Sequence, residues 1–280
     1  MTALTSAIPA PAVRQIGLAR LVRVELLKIR ATRLNYGLLG AAAAITALFA
    51  VLESARAGSG APNTPASLST PAGLSQVMTA GVWALMFAAV LGVTVSSGEF
   101  RHRTATFTYL AAPDRNRVLA AKAIAAALAG AVLGLAGFAV SAVSSLAFVA
   151  ARGYSVSLGA ATFADRGAGG LVAGGLLAAI GVVLGTLVRS QLAGVIGVFV
   201  WAMIIESLIG GLFTAVRPYL PYTAASTLAG TPLGGAAFGP AHGVNGGTPL
   251  PFAAATALLA AIALVGGIIA ARTTVRRDVT

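Results

Sequence analysis

The sequence predicts an all-α integral membrane protein with six transmembrane helices. Apolar residues make up 58% of the 280 positions and charged residues only 9%, where soluble domains carry about 25% charge. Six stretches are apolar for long enough to cross a hydrocarbon core, which takes roughly 20 residues as a helix. Cations gather at alternate ends of those stretches, as membrane topology requires. The formal charge of +12 is therefore read as topology and membrane-surface contact, and nucleic acid is not expected as a partner.

Residues 1–13 are uncharged and rich in Ala, Pro, Ser and Thr. They lack a basic region followed by an apolar one, so they do not read as a cleaved signal peptide; a flexible tail is expected. From 14 to 280 the chain reads as one domain. Leu18, Val22, Leu26 and Ile29 fall on one helical stripe. Arg20, Arg23, Lys28 and Arg30 flank it, and the segment also carries Glu25. This pattern predicts an interfacial helix, with its apolar face among acyl chains and its cations at phosphate level.

The spans follow at about 36–52, 74–96, 119–150, 168–188, 192–213 and 252–271. The third is long enough to tilt or to pass the bilayer. Only Arg189, Ser190 and Gln191 separate the fourth from the fifth. With the N-terminus inside, the outer loops hold Arg56, Arg152, Arg166 and Arg217, and the other fifteen of 19 cations lie inside. Both termini are thus expected in the cytoplasm. The outer loops, 53–73, 152–167 and 214–251, are rich in Pro and Gly, which break long helices. None is large enough for a separate domain.

A polar island, 98–122, joins the second span to the third. It is longer than a plain turn needs. Glu99 and Arg103 stand i, i+4 and can pair on a helix face. Pro113 ends any helix begun there, and Arg115 and Arg117 flank the next span. An exposed mixed-charge helix of this kind suits docking.

The inventory excludes several chemistries. The chain has no cysteine, so it has no thiol nucleophile or Cys-ligated metal. His102 and His242 fall on opposite sides of the membrane, and neither has metal partners. No nucleophile–base constellation is visible, so catalysis is not expected of this chain. No G-x-x-x-x-G-K-[ST] occurs, and Lys28 and Lys122 lack glycine-rich approaches. Glu206 is the one carboxylate within an apolar span. Ionised at the bilayer centre it would cost about 2.5–3.5 kcal/mol, so it reads either as a group lining a transport path or the dimer seam, or as one that reaches water at the outer interface or is held neutral. Paired glycines at 130/134, 170/174 and 181/185 read as close packing within the subunit. Trp83 and Trp201 read as packing residues.

Three stretches in order carry a family resemblance. They are Val24-Glu25-Leu26-Leu27-Lys28-Ile29-Arg30; Gly98-Glu99-Phe100-Arg101-His102-Arg103-Thr104 with Ala112-Pro113-Asp114-Arg115 and Lys122; and Val188-Arg189-Ser190-Gln191 leading to Trp201, Glu206 and Pro218-Tyr219-Leu220-Pro221. Together with six spans, this set resembles the permease subunits of ABC-2 type exporters. The resemblance implies a dimer of this chain or a pair with a related permease in a bacterial inner membrane. Each copy would bind a separate cytoplasmic ATPase subunit, which would hold the ATP and Mg; this chain would bind no cofactor itself. Segment 99–113 would be the coupling helix, with Glu99, Phe100, Arg101, Arg103, Thr104, Pro113 and Arg115 as its ATPase-coupling residues. The leading helix would lie on the inner leaflet and touch the ATPase. Spans one, two and five would build the dimer face and a path for a hydrophobic or amphipathic compound such as a drug, antibiotic, lipid or peptide. The competing readings are a transporter driven by an ion gradient through Glu206, a membrane enzyme, and an assembly factor.

Overall fold

A backbone in hydrocarbon has only itself to bond with, so spanning segments must be helical or closed into a barrel. The computed structural model describes residues 17–61, 64–101, 114–231 and 248–273, and among these no strand occurs. Six helices are long and apolar enough to cross a membrane: Arg33–Arg56, Pro71–Glu99, Arg115–Ala151, Ala160–Val188, Gln191–Leu212 and Phe252–Thr273. The count matches the sequence expectation, and most ends run further. The largest difference is span four. It starts at Ala160, not 168, and takes Asp165 and Arg166 into the helix. A cation is tolerated there because its guanidinium finds carbonyl partners, described below.

Caps explain several boundaries. Asp114 starts span three by accepting the Arg117 amide at 3.1 Å, and its second oxygen pairs with Arg117 Nε at 3.0 Å. Thr70 starts span two by accepting from the Gly73 amide, with Pro71 in the first turn, where its missing N–H costs nothing. Between spans four and five the turn is made by Arg189 in the left-handed conformation, φ 56°. Its amide donates to Gly185 O, and the Ser190 hydroxyl caps the next helix.

Span two is the centre of the bundle: 89% of its apolar window is buried, against 17% for span five and 11% for span six. Its apolar core is shared with span four and with the short helix Pro221–Leu228, through Leu85, Val93, Leu177, Ala224 and Leu228. Span four touches spans two and three along most of its length. Trp83 stacks on Phe49 of span one at 4.2 Å, 12° from parallel, so it is a packing residue as expected.

Span four can approach both neighbours because glycines line both contacts. A Cβ at Gly134 would sit 2.1 Å from Gly170 O, and one at Gly174 would sit 2.3 Å from Gly130 O. On the other side, a Cβ at Gly181 would sit 2.1 Å from Ala89 O. All three glycine pairs thus pack within the chain. Close backbone approach of this kind is how helices associate where lipid removes the hydrophobic drive.

Gly134→Ala should therefore force spans three and four apart, with a cost of about 1–3 kcal/mol for overpacking. Gly40→Ala, whose Cβ would meet nothing within 4 Å, should leave stability unchanged or slightly raised. Thermal unfolding midpoints of the two variants in detergent check the contrast.

Candidate functional site

The leading helix, Leu18–Ala31, is separated from span one by a single extended residue, Thr32. Its last carbonyls are capped locally: Thr32 Oγ1 donates to Lys28 O at 2.8 Å and Asn35 Nδ2 donates to Ile29 O at 2.8 Å. The helix packs on span three. Leu21, Val22, Leu26 and Ile29 are partly buried and Glu25 is buried at their centre, while Leu18, Val24 and Leu27 are exposed. The stripe expected to face acyl chains is thus turned partly onto the protein. Arg20, Arg23 and Arg30 remain on the exposed side.

Glu25 is drawn inward by Lys122, which enters from the second turn of span three. Lys122 Nζ donates to Glu25 Oε2 at 3.0 Å and to Glu99 Oε1 at 2.6 Å. Lys28 Nζ donates to Glu25 Oε1 at 2.7 Å and to Glu99 Oε1 at 2.9 Å. Two ammonium groups therefore bridge the same two carboxylates, and the four formal charges cancel. The Lys122 side chain is 6% exposed and that of Lys28 is 44% exposed. Burial pulls the Lys28 ammonium down, but its hydrogen bonds and charge contacts with Glu25 and Glu99 outweigh that, so it titrates above the ordinary lysine value. Its contribution to stability is complete below the unfolded-state lysine value and is lost only as pH rises through the folded one.

These are the only two lysines in a chain with 19 basic residues. A rigid guanidinium fork matches one carboxylate at a time, whereas an ammonium is a compact charge with three donors on a flexible stem. Bridging two separate carboxylates suits lysine. That scarcity was the signal available in the sequence; the pairings themselves, 97 positions apart for Glu25 and Lys122, were not.

The cluster gathers Glu25, Lys28 and Glu99 from the expected site residues and adds Lys122 in a structural role. Arg115 opens the span-three helix. Phe100 and Arg101 close the span-two helix, with side chains outside the described residues. Arg103, Thr104, Pro113 and His102 lie outside the described residues, as do the expected coupling helix beyond Arg101 and the tail 1–13. So does His242.

Glu206 serves a different end of the bundle. It is 4% exposed and follows a π-helical turn, Trp201–Ile205. In an α-helix residues five apart are roughly 140° apart around the axis; the wider π turn lets Trp201 Nε1 donate to Glu206 Oε1 at 2.7 Å. The same oxygen accepts from the Tyr222 amide at 2.7 Å, and Oε2 accepts from the Thr223 amide at 2.8 Å and Thr223 Oγ1 at 2.9 Å. Those amides are the unpaired donors at the start of Pro221–Leu228, so the carboxylate also meets the positive end of that helix. At the other end of the helix, Arg166 Nη2 donates to Gly230 O at 3.1 Å, and Arg166 Nη1 donates to Ser75 O at 2.8 Å. The Leu228 carbonyl rests on Gly169, where a Cβ would be 1.7 Å away. A short helix is thus held between a carboxylate and a guanidinium, within a loop rich in Gly and Pro where the sequence left short helical pieces open. Trp201, read from sequence as packing, is a hydrogen-bond donor and is 41% exposed.

Among the described residues, no three His, Asp or Glu side chains are grouped to hold a metal ion. No family model and no curated protein matches this chain.

The two lysines should respond differently to removal. Lys122→Met leaves buried carboxylates short of a partner and should cost on the order of 3 kcal/mol. Lys28→Met removes a half-exposed partner and should cost about 1 kcal/mol or less. Thermal unfolding midpoints of the two variants in one detergent give the comparison.

Proposed function

We propose that this chain is the permease subunit of an ATP-driven exporter of the ABC-2 type, working as a dimer with a separate cytoplasmic ATPase subunit on each copy. The observation that carries the reading is the cluster of Glu25, Lys28, Glu99 and Lys122. It ties the leading helix, the end of span two and the start of span three into one unit. On this reading segment 99–113, which joins span two to span three in the sequence, would deliver a push to the leading helix and both spans through that cluster. The cation distribution favours a cytoplasmic position for this end, where the exposed Arg20, Arg23 and Arg30 would suit lipid phosphates.

The six membrane helices support the transmembrane part of the reading. Spans one and five carry exposed apolar residues such as Leu48, Leu192 and Leu212, which suits them to a dimer face. Span two is covered by its own neighbours, so its share in that face would be small. ATP and Mg belong to the partner subunit, and this chain supplies the path. An apolar or amphipathic cargo fits a chain whose spans hold few charges.

The gradient-driven reading relied on Glu206. An ionised carboxylate has about four acceptor positions, and four protein donors occupy them. A carboxylate so engaged suits a clasp for the helix beside it, not a site that loads and unloads an ion.

Co-purification in detergent with an ABC ATPase encoded beside this chain tests the proposal. The wild type should form a stable complex and alter its ATP hydrolysis. Glu99→Ala combined with Arg103→Ala should weaken the complex or uncouple hydrolysis. Failure of the wild type to bind, with or without nucleotide, would overturn the reading.

A further inference from the structure

Span six packs mainly on span four and barely touches span three. Small side chains keep the space between them open. The result is a groove of about 650 Å³ lined by Leu119, Ala123 and Ala127 of span three, Val183 of span four, and Ala263 and Gly267 of span six. Its sides are flanked by the exposed Ile124, Leu264 and Ile268, so it opens laterally towards the hydrocarbon. Its polar rim is at one end only, where Asn116 and Arg272 stand. That is the end of the bundle that carries the lysine–carboxylate cluster.

Length and charge identify the occupant. From Asn116 to Ala127 the groove runs eleven residues along span three, roughly 16 Å at the α-helical rise. Half of a hydrocarbon core is about 15 Å, so the groove is one leaflet deep. Asn116 and Arg272 are exposed, and neither has a hydrogen-bond or ion-pair partner among the described residues. Both line the same end of the groove, and each offers N–H donors that no described residue takes up.

We propose that this groove is a binding site for an anionic phospholipid. One acyl chain lies between spans three and six, and the phosphate accepts from Arg272 and Asn116. The lipid completes the packing of span six, which the protein's own side chains leave open. The site is separate from the clasp at Glu206 and does not depend on the proposed ATPase partner.

Native mass spectrometry of the purified chain tests this, with phosphatidylglycerol and phosphatidylcholine of identical acyl chains as probes. The wild type should retain phosphatidylglycerol over phosphatidylcholine roughly fivefold, the share of one basic residue at a membrane surface. Arg272→Ala should abolish the preference while some lipid is still retained. Gly267→Leu should expel both lipids by filling the groove; a Cβ there meets only Val183, at 4.0 Å, so the variant should fold. Ala123→Leu fills the groove from the opposite wall and should act alike. Thermal midpoints near that of the wild type establish that each variant is folded. Equal retention of both lipids by the wild type would overturn the proposal, as would unchanged retention in both folded groove-filling variants. Dissociation of a dimer by those variants with lipid retention unchanged would also overturn it, assigning the groove to a second copy.

Discussion

Two ammonium groups, each shared between the same two carboxylates, hold one end of this bundle together. A single pair of charges at effective dielectric about 20 and 4 Å separation attracts by about 4 kcal/mol before solvation is counted. Taking those charges out of water costs several kcal/mol per ion. The two effects largely offset, so the cluster adds little net stability. What it adds is position. Glu25 can bury itself only where Lys122 is, and Lys28 can reach Glu99 only if the leading helix keeps its present register. The charges decide where the helix lies on the bundle.

The opposite end is organised on the same physical principle with different groups. Helix termini leave unpaired amides and carbonyls, and here charged side chains partner them. Glu206 supplies the acceptors and Arg166 the donors for one short helix. Arg152 does similar work for span one, donating to Ala55 O and Ala57 O. Between the two polar ends, span four runs close to its neighbours because glycine carries no Cβ. Rigid glycine packing through the middle with charged anchors at both ends suits a body that transmits a displacement. On the proposed reading that displacement arises at the cytoplasmic side.

The number of spans was legible because it depends on local hydropathy alone. Close glycine packing was legible too, since the i, i+4 spacing puts two gaps on one helix face. Span four exceeded its apolar stretch because Arg166 is satisfied by carbonyls of Ser75 and Gly230, 91 and 64 positions away, and no local window holds those partners. Glu206 stood out as a charge in a span, but its use did not. Its acceptors serve amides 16 and 17 residues on, across a turn of Pro and Gly, and they reach Trp201 only because of a π turn that hydropathy does not encode. For Glu25, helical periodicity marked a stripe expected to face acyl chains; Val22, Leu26 and Ile29 of that stripe instead turn partly onto the protein, around a carboxylate that a lysine from span three meets.

The measurement that bears most directly on the cluster is amide hydrogen exchange of residues 18–31 and 160–188 in wild type and Lys122→Met, in the same detergent. If the cluster holds the leading helix in place, the variant should exchange faster across 18–31 while span four keeps its protection. Unchanged exchange across 18–31 would contradict the account, because packing alone would then suffice to hold the helix. An equal rise in both regions would contradict it as well, because Lys122 would then support the whole fold and not the placement of one helix.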